Sequence, residues 1–145
     1  MSFEIPAVLR TYGVIAKCEV APEHYNTMLL IPTMQFFHQT VKGLNELDTA
    51  TVQQALRAGL NVYLFPITEE TPEQWEPAFP EMCVSVWEFV GPHETVEVAT
   101  RLAKSWMHFI DQNCKLNTGT RLMIRGVTKE HTSIPEIEWR TTTLS

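Results

Sequence analysis

At 145 residues with 44% hydrophobic content, four Trp and seven Phe, the chain has the size and apolar content for one domain, 1–145, with a sizeable core, and it is not an intrinsically disordered segment. Its formal net charge of −6 argues against a long nucleic-acid partner, which needs a basic surface, and its apolar runs are too short for a membrane partner. Cys18, Cys83 and Cys114 are widely separated, without C-x-x-C spacing, so free thiols and a reducing compartment are expected. With Glu4 and Pro6 close behind Met1 the start does not read as a signal peptide, which makes the cytoplasm the expected location.

Residues 7–20 read as a strand with Val8, Tyr12, Val14, Ala16, Cys18 and Val20 on one face, ended by Pro22. The segment 22–32 (PEHYNTMLLIP) is ambiguous between a short helix and an irregular crossover. Residues 34–42 (MQFFHQTVK), rich in aromatic and β-branched residues, read as a second strand. Asp48 or Thr49 is placed to cap a helix running to about Arg57, with Gly59 as its stop. A strand follows at 61–67. Residues 68–81 carry five Glu and three Pro and read as a long loop anchored by Trp75 and Phe79. Met82–Val90 reads as a central strand apolar on both faces.

The clearest helix spans 94–112, with Val96, Ala99, Leu102, Ala103, Trp106, Phe109 and Ile110 forming one stripe. Asn117-Thr118-Gly119 turns the chain into a strand at 120–128, and a last strand is expected at 136–144. The element order predicts a compact α+β domain, a mostly antiparallel sheet with two main helices. Leu56, Val84, Val86, Leu102, Trp106 and Ile124 are expected in its core.

The six glycines are scattered and form no phosphate-binding loop, and neither a metal-ligand spacing nor a G-x-S-x-G elbow occurs. No metal and no cofactor is therefore expected. Two tripeptides stand out 93 residues apart: His38-Gln39-Thr40 and His131-Thr132-Ser133, each a His followed two positions later by a hydroxyl residue. On strands, that spacing puts imidazole and hydroxyl on one face. Two such pairs facing one phosphate supply a general acid, a general base and two hydroxyl donors. If the chain stays extended from Arg121 to Ser133, then Arg121, Arg125, Lys129, His131 and Ser133 share a face suited to phosphate.

These motifs and their order resemble the two-histidine phosphoesterase superfamily over nearly the whole chain. The resemblance implies a bilobal α+β fold and metal-independent hydrolysis of a cyclic phosphate, a cyclic nucleotide or a short RNA-like substrate. In that reading His38 and His131 are the acid/base pair, Thr40 and Ser133 hold the phosphate, and Arg125 and Lys129 add charge. Tyr12 or Trp139 stacks on a base. Three departures stand beside it: Gln39 and Thr132 occupy positions that are usually apolar in the family, Pro135 follows the second motif closely, and an extra strand-like segment ends the chain.

A second class fits the same order of elements. Helix 94–112, strand 120–128 and a terminal strand resemble small phage tail-terminator or neck proteins, which implies a non-enzymatic virion subunit forming homo-oligomeric rings. The acidic segment 68–81 would then serve an interface, and the location would be the virion, or the host cytoplasm for a viral enzyme. A third reading is a nucleotide-binding protein that retains a cleft without hydrolysing its ligand.

Overall fold

The computed structural model describes residues 11–92, 95–113 and 120–123, apart from the side chains of Arg121 and Met123. Its strands are β1 (Thr11–Lys17), β2 (Leu29–Ile31), β3 (Asn61–Ile67), β4 (Glu88–Val90) and β5 (Arg121–Met123). Its helices are α1 (Met34–Thr40), α2 (Glu46–Arg57), α3 (Pro72–Trp75), α4 (Ala78–Ser85) and α5 (Val96–Gln112), with a 3-10 turn at Pro22–His24.

All five strands join one sheet in the order β2-β3-β1-β4-β5. β1 pairs in parallel with β3 on one side and with β4 on the other, and β4 pairs in parallel with β5. Only β2 runs antiparallel, against β3. The sheet is thus mixed, and the expected mostly antiparallel pairing is corrected. The cause lies in the connections: α3–α4 between β3 and β4, and α5 between β4 and β5, are long crossovers that return the chain in the same direction, whereas α1–α2 join the antiparallel β2 and β3. The fold is α+β, with parallel pairs in the majority.

Alternation along the strands sends side chains to opposite faces. Tyr12, Val14, Ala16 and Cys18 pack with Val62, Leu64, Phe37 and Val52 beneath α1 and α2. Ile15, Phe65, Ile67, Phe89 and Leu122 pack on the other face with Met82 of α4 and with Leu102 and Trp106 of α5. Helices therefore cover both faces, and β1, rather than the segment at 82–90, is the central strand. Phe79, Phe89, Phe109 and Trp106 form an aromatic cluster; the Trp106 ring lies 5.2 Å from both Phe79 and Phe89, edge to face with each. Such pairs add to area burial.

The expected strand at 34–42 is helix α1, capped by Thr33, whose hydroxyl accepts from the Phe36 N–H at 3.0 Å. Residues 82–85 of the expected strand at 82–90 belong to α4, and β4 begins only at Glu88. Val84, expected in the core, is 74% exposed on α4, because it follows Met82 and Cys83 around the helix onto the solvent side. Leu56 is half-buried, while Val86, Leu102 and Trp106 are fully buried as expected. Residues 72–75 and 78–81 of the acidic stretch are helical rather than looped, although Trp75 and Phe79 do anchor it. The cap of α2 is Asn45, three residues before the expected Asp48. Ile124 and the strand at 136–144 lie outside the described residues.

Candidate functional site

Of the residues expected in a phosphate site, the structure describes Tyr12, His38 and Thr40; Arg125, Lys129, His131, Ser133 and Trp139 lie outside the described residues. His38 and Thr40 sit on α1, where two residues subtend about 200° and so point to different sides. The shared face that a strand would give them is lost. His38 is exposed, its ring 5.5 Å from that of Phe37, and its carbonyl accepts from the Lys42 ammonium.

Lys42 in turn ties α1 to the far end of the central strand. The Lys42 N–H donates to the Glu19 carbonyl at 2.9 Å, and the Glu19 N–H donates to the Lys42 carbonyl at 2.7 Å. His38 therefore lies beside the C-terminal end of β1, whereas Tyr12 lies at its start. At about 3.3 Å per residue, the two are separated along the strand by roughly 20 Å. They do not serve one small ligand.

Tyr12 belongs instead to a cavity of about 320 Å³ at the N-terminal edge of the sheet. Thr51, Gln54 and Ala58 of the α2 end line one side, Leu60 leads into β3, and Trp87 and Glu88 enter from β4. Tyr12 is 3% exposed and Glu88 is 8% exposed, so a phenol and a carboxylate are held in a largely apolar setting. Residues Tyr12, Glu88 and Arg121 stand in register across β1, β4 and β5. The Thr51 hydroxyl donates to the Leu47 carbonyl at 2.9 Å, leaving its oxygen able to accept. The arrangement suits a flat ligand with N–H donors: aromatic walls, a carboxylate at depth, and an amide at the exposed mouth from Gln54.

Sequence reasoning assigned Tyr12 to the two-histidine site rather than to this cavity, and it missed Trp87 and Glu88. The available signal was a lone carboxylate inside the apolar run MCVSVWEFV, since a charged residue held in a buried strand needs a reason.

A smaller hollow of about 120 Å³ lies between α3 and α5, lined by Glu76, Ser105 and His108 among others. No hydrogen bond joins these three among the described residues, so they do not form a charge-relayed nucleophile. Cys18 and Cys83 are buried. Burial, with smaller contributions from Asp48 and Glu19, pushes the Cys18 thiol from 9.0 up to about 12. Burial alone pushes that of Cys83 to about 11. Both stay protonated near neutrality and are poor nucleophiles. Among the described residues no group of three His, Cys, Asp or Glu is placed to hold a metal ion. No described helix is long and apolar enough to cross a membrane. No known family model and no curated protein matches the chain.

Proposed function

We propose that this chain binds a small nucleotide through the cavity walled by Tyr12 and Trp87. The observation that carries the reading is the cavity itself: two aromatic side chains and the carboxylate of Glu88 converge on about 320 Å³, a volume at the lower end of small-molecule sites. Stacking on aromatic rings holds any base by its π face, and a few polar groups then choose among bases. Titration calorimetry with a panel of mononucleotides tests it. Saturable binding that disappears in Ala58→Phe supports the reading, because Ala58 is exposed and a larger side chain there fills the mouth without disturbing the core. A panel in which nothing binds rejects it.

Metal-independent phosphodiester hydrolysis by His38 and His131 is a second and separate proposal. It is supported by the two motifs and by the exposure of His38, whose imidazole is open to solvent for proton transfer. With His38 beside the far end of β1, this chemistry would act at a different ligand position from the Tyr12 cavity. Turnover of a 2′,3′-cyclic, 3′,5′-cyclic or oligonucleotide substrate that vanishes in a His38→Ala, His131→Ala double variant supports it. Undiminished turnover in that variant rejects it. The free thiol of Cys18 supports a cytoplasmic setting for either activity.

The ring-forming assembly subunit is favoured by one different observation. Val84 is 74% exposed on α4, on a surface where Glu73, Glu76 and Glu81 are also exposed and which Trp75 and Phe79 anchor rigidly to the core. Light scattering on the eluting protein distinguishes this reading, which requires a closed oligomer, from the other two, which a monomer satisfies.

A further inference from the structure

We infer that the cavity reads the guanine edge of a nucleotide, with Glu88 accepting two N–H bonds from the base and Tyr12 and Trp87 flanking its ring. The inference rests on the reading of this cavity as a nucleotide site and adds which base it takes.

Glu88 opens β4 and lines the cavity while only 8% exposed. An ionised carboxylate is an acceptor with two oxygens and no donor. Held in apolar surroundings, it is stabilised by a partner that supplies two donors at the spacing of those oxygens, and paired charge-assisted bonds of this kind are the strong ones. Guanine presents such a pair on one edge, its ring N1–H and its exocyclic N2 amine. Adenine places an acceptor nitrogen beside its amine, and so does cytosine, which sets a lone pair against the carboxylate. Uracil offers one N–H between two carbonyl oxygens. Of the four common bases only guanine fits without an opposed lone pair.

The rest of the lining is consistent with that edge. Tyr12 and Trp87 provide aromatic surface, and Leu60 and Ala55 close the apolar side. The Gln54 amide, at the mouth, is a donor available to the guanine carbonyl oxygen or to the ribose. A cavity of about 320 Å³ takes the base and part of the sugar, leaving phosphates toward solvent.

The test is calorimetric titration of the full chain with guanosine, inosine and adenosine. Inosine differs from guanosine only in lacking the exocyclic amine, so it offers one donor of the pair. Guanosine binds at least about tenfold more tightly than inosine, and adenosine binds more weakly still. Glu88→Gln replaces one acceptor oxygen by an NH₂ group and lowers guanosine affinity by roughly 10- to 100-fold. The guanosine-to-inosine ratio of the unaltered protein needs no variant and stands even if Glu88→Gln folds poorly. Equal affinities for the three nucleosides, or guanosine binding unchanged in a folded Glu88→Gln protein, overturn the guanine assignment while leaving a nucleotide site in place. Absence of binding by all three overturns both.

Discussion

Gly13 and Met82 are pressed together where α4 lies on the central strand: a methyl group at position 13 would stand 2.4 Å from Met82 Sδ and 3.0 Å from Phe89 Cβ. Met82 is fully buried, so its thioether has little room to withdraw. Gly13→Ala is therefore expected to destabilise the protein by about 1–3 kcal/mol, the cost of overpacking a filled core. Urea unfolding checks it, and Gly13→Ala should cost less in a Met82→Ala background than in the parent if the clash is the cause.

This contact also shows where the sequence was legible and where it was not. The alternation Tyr12, Val14, Ala16, Cys18 gave β1 and its face correctly, and the stripe Ala99, Leu102, Ala103, Trp106 gave α5, because each had a single clear period. Segment 78–90 carried two competing patterns. Phe79, Met82, Cys83 and Val86 repeat at helical spacing and are buried, yet Val84, Val86 and Val90 also alternate as a strand would. Packing of Met82 over Gly13 decides for the helix. Segment 34–42 failed for another reason. Its β-branched and aromatic content suggested a strand, but Thr33 caps a helix there and only Phe37 needs burial. Tertiary context overrides weak propensity in both places. The cavity was not legible in the sequence, since it is assembled by register between β1 and β4, which are distant in sequence.

Cys18 gives the protein a pH dependence with a defined sign. Its thiol ionises near 9.0 in the unfolded chain and only near 12 in the fold, so the native state holds the proton more tightly. The stabilisation is fully present below pH 9 and is lost between pH 9 and 12, on the order of 1 kcal/mol per pH unit. Urea midpoints at pH 7.5 and pH 10.5 measure the loss, and it should shrink in Cys18→Ala relative to the parent. The same burial predicts slow alkylation of Cys18 by iodoacetamide at pH 8 in the native state and rapid alkylation once unfolded.

Asn45 holds the start of α2 twice over. Its side-chain oxygen accepts from the Asp48 N–H at 2.8 Å, and its amide donates to the Asp48 carboxylate at 2.9 Å. Asp48 is only 3% exposed, so the second bond is made in a desolvated setting. Asn45→Ala should cost about 1–2 kcal/mol, whereas Asn45→Ser, which keeps the cap, should cost less. Thermal unfolding of the two variants side by side separates them. A similar loss in both variants would assign the effect to the amide bond on Asp48 rather than to the cap.

Val84 separates stability from assembly. A side chain 74% exposed contributes little to the fold, so Val84→Lys is expected to change unfolding free energy by less than about 0.5 kcal/mol. If copies of the chain meet through this face, the same change breaks the oligomer by placing a charge in an apolar contact. Light scattering with a concentration series reads the outcome. A stable oligomer indifferent to Val84→Lys removes this face from the interface.

The separation of His38 from Tyr12 along β1 makes the two candidate chemistries independent, and that independence can be measured. Lys42 fixes α1 beside Glu19 at one end of the strand, while the cavity opens at the other, roughly 20 Å away. His38→Ala should therefore leave nucleoside affinity at the cavity unchanged within about twofold, because sites this far apart with no shared partners act additively. Ala58→Phe should in turn abolish cavity binding while leaving any His38-dependent phosphodiesterase rate intact. Calorimetry on His38→Ala and a rate assay on Ala58→Phe complete the comparison. Loss of nucleoside binding in a folded His38→Ala protein would mean that the two ends of β1 are coupled, and the assignment of His38 and Tyr12 to different ligand positions would have to be abandoned.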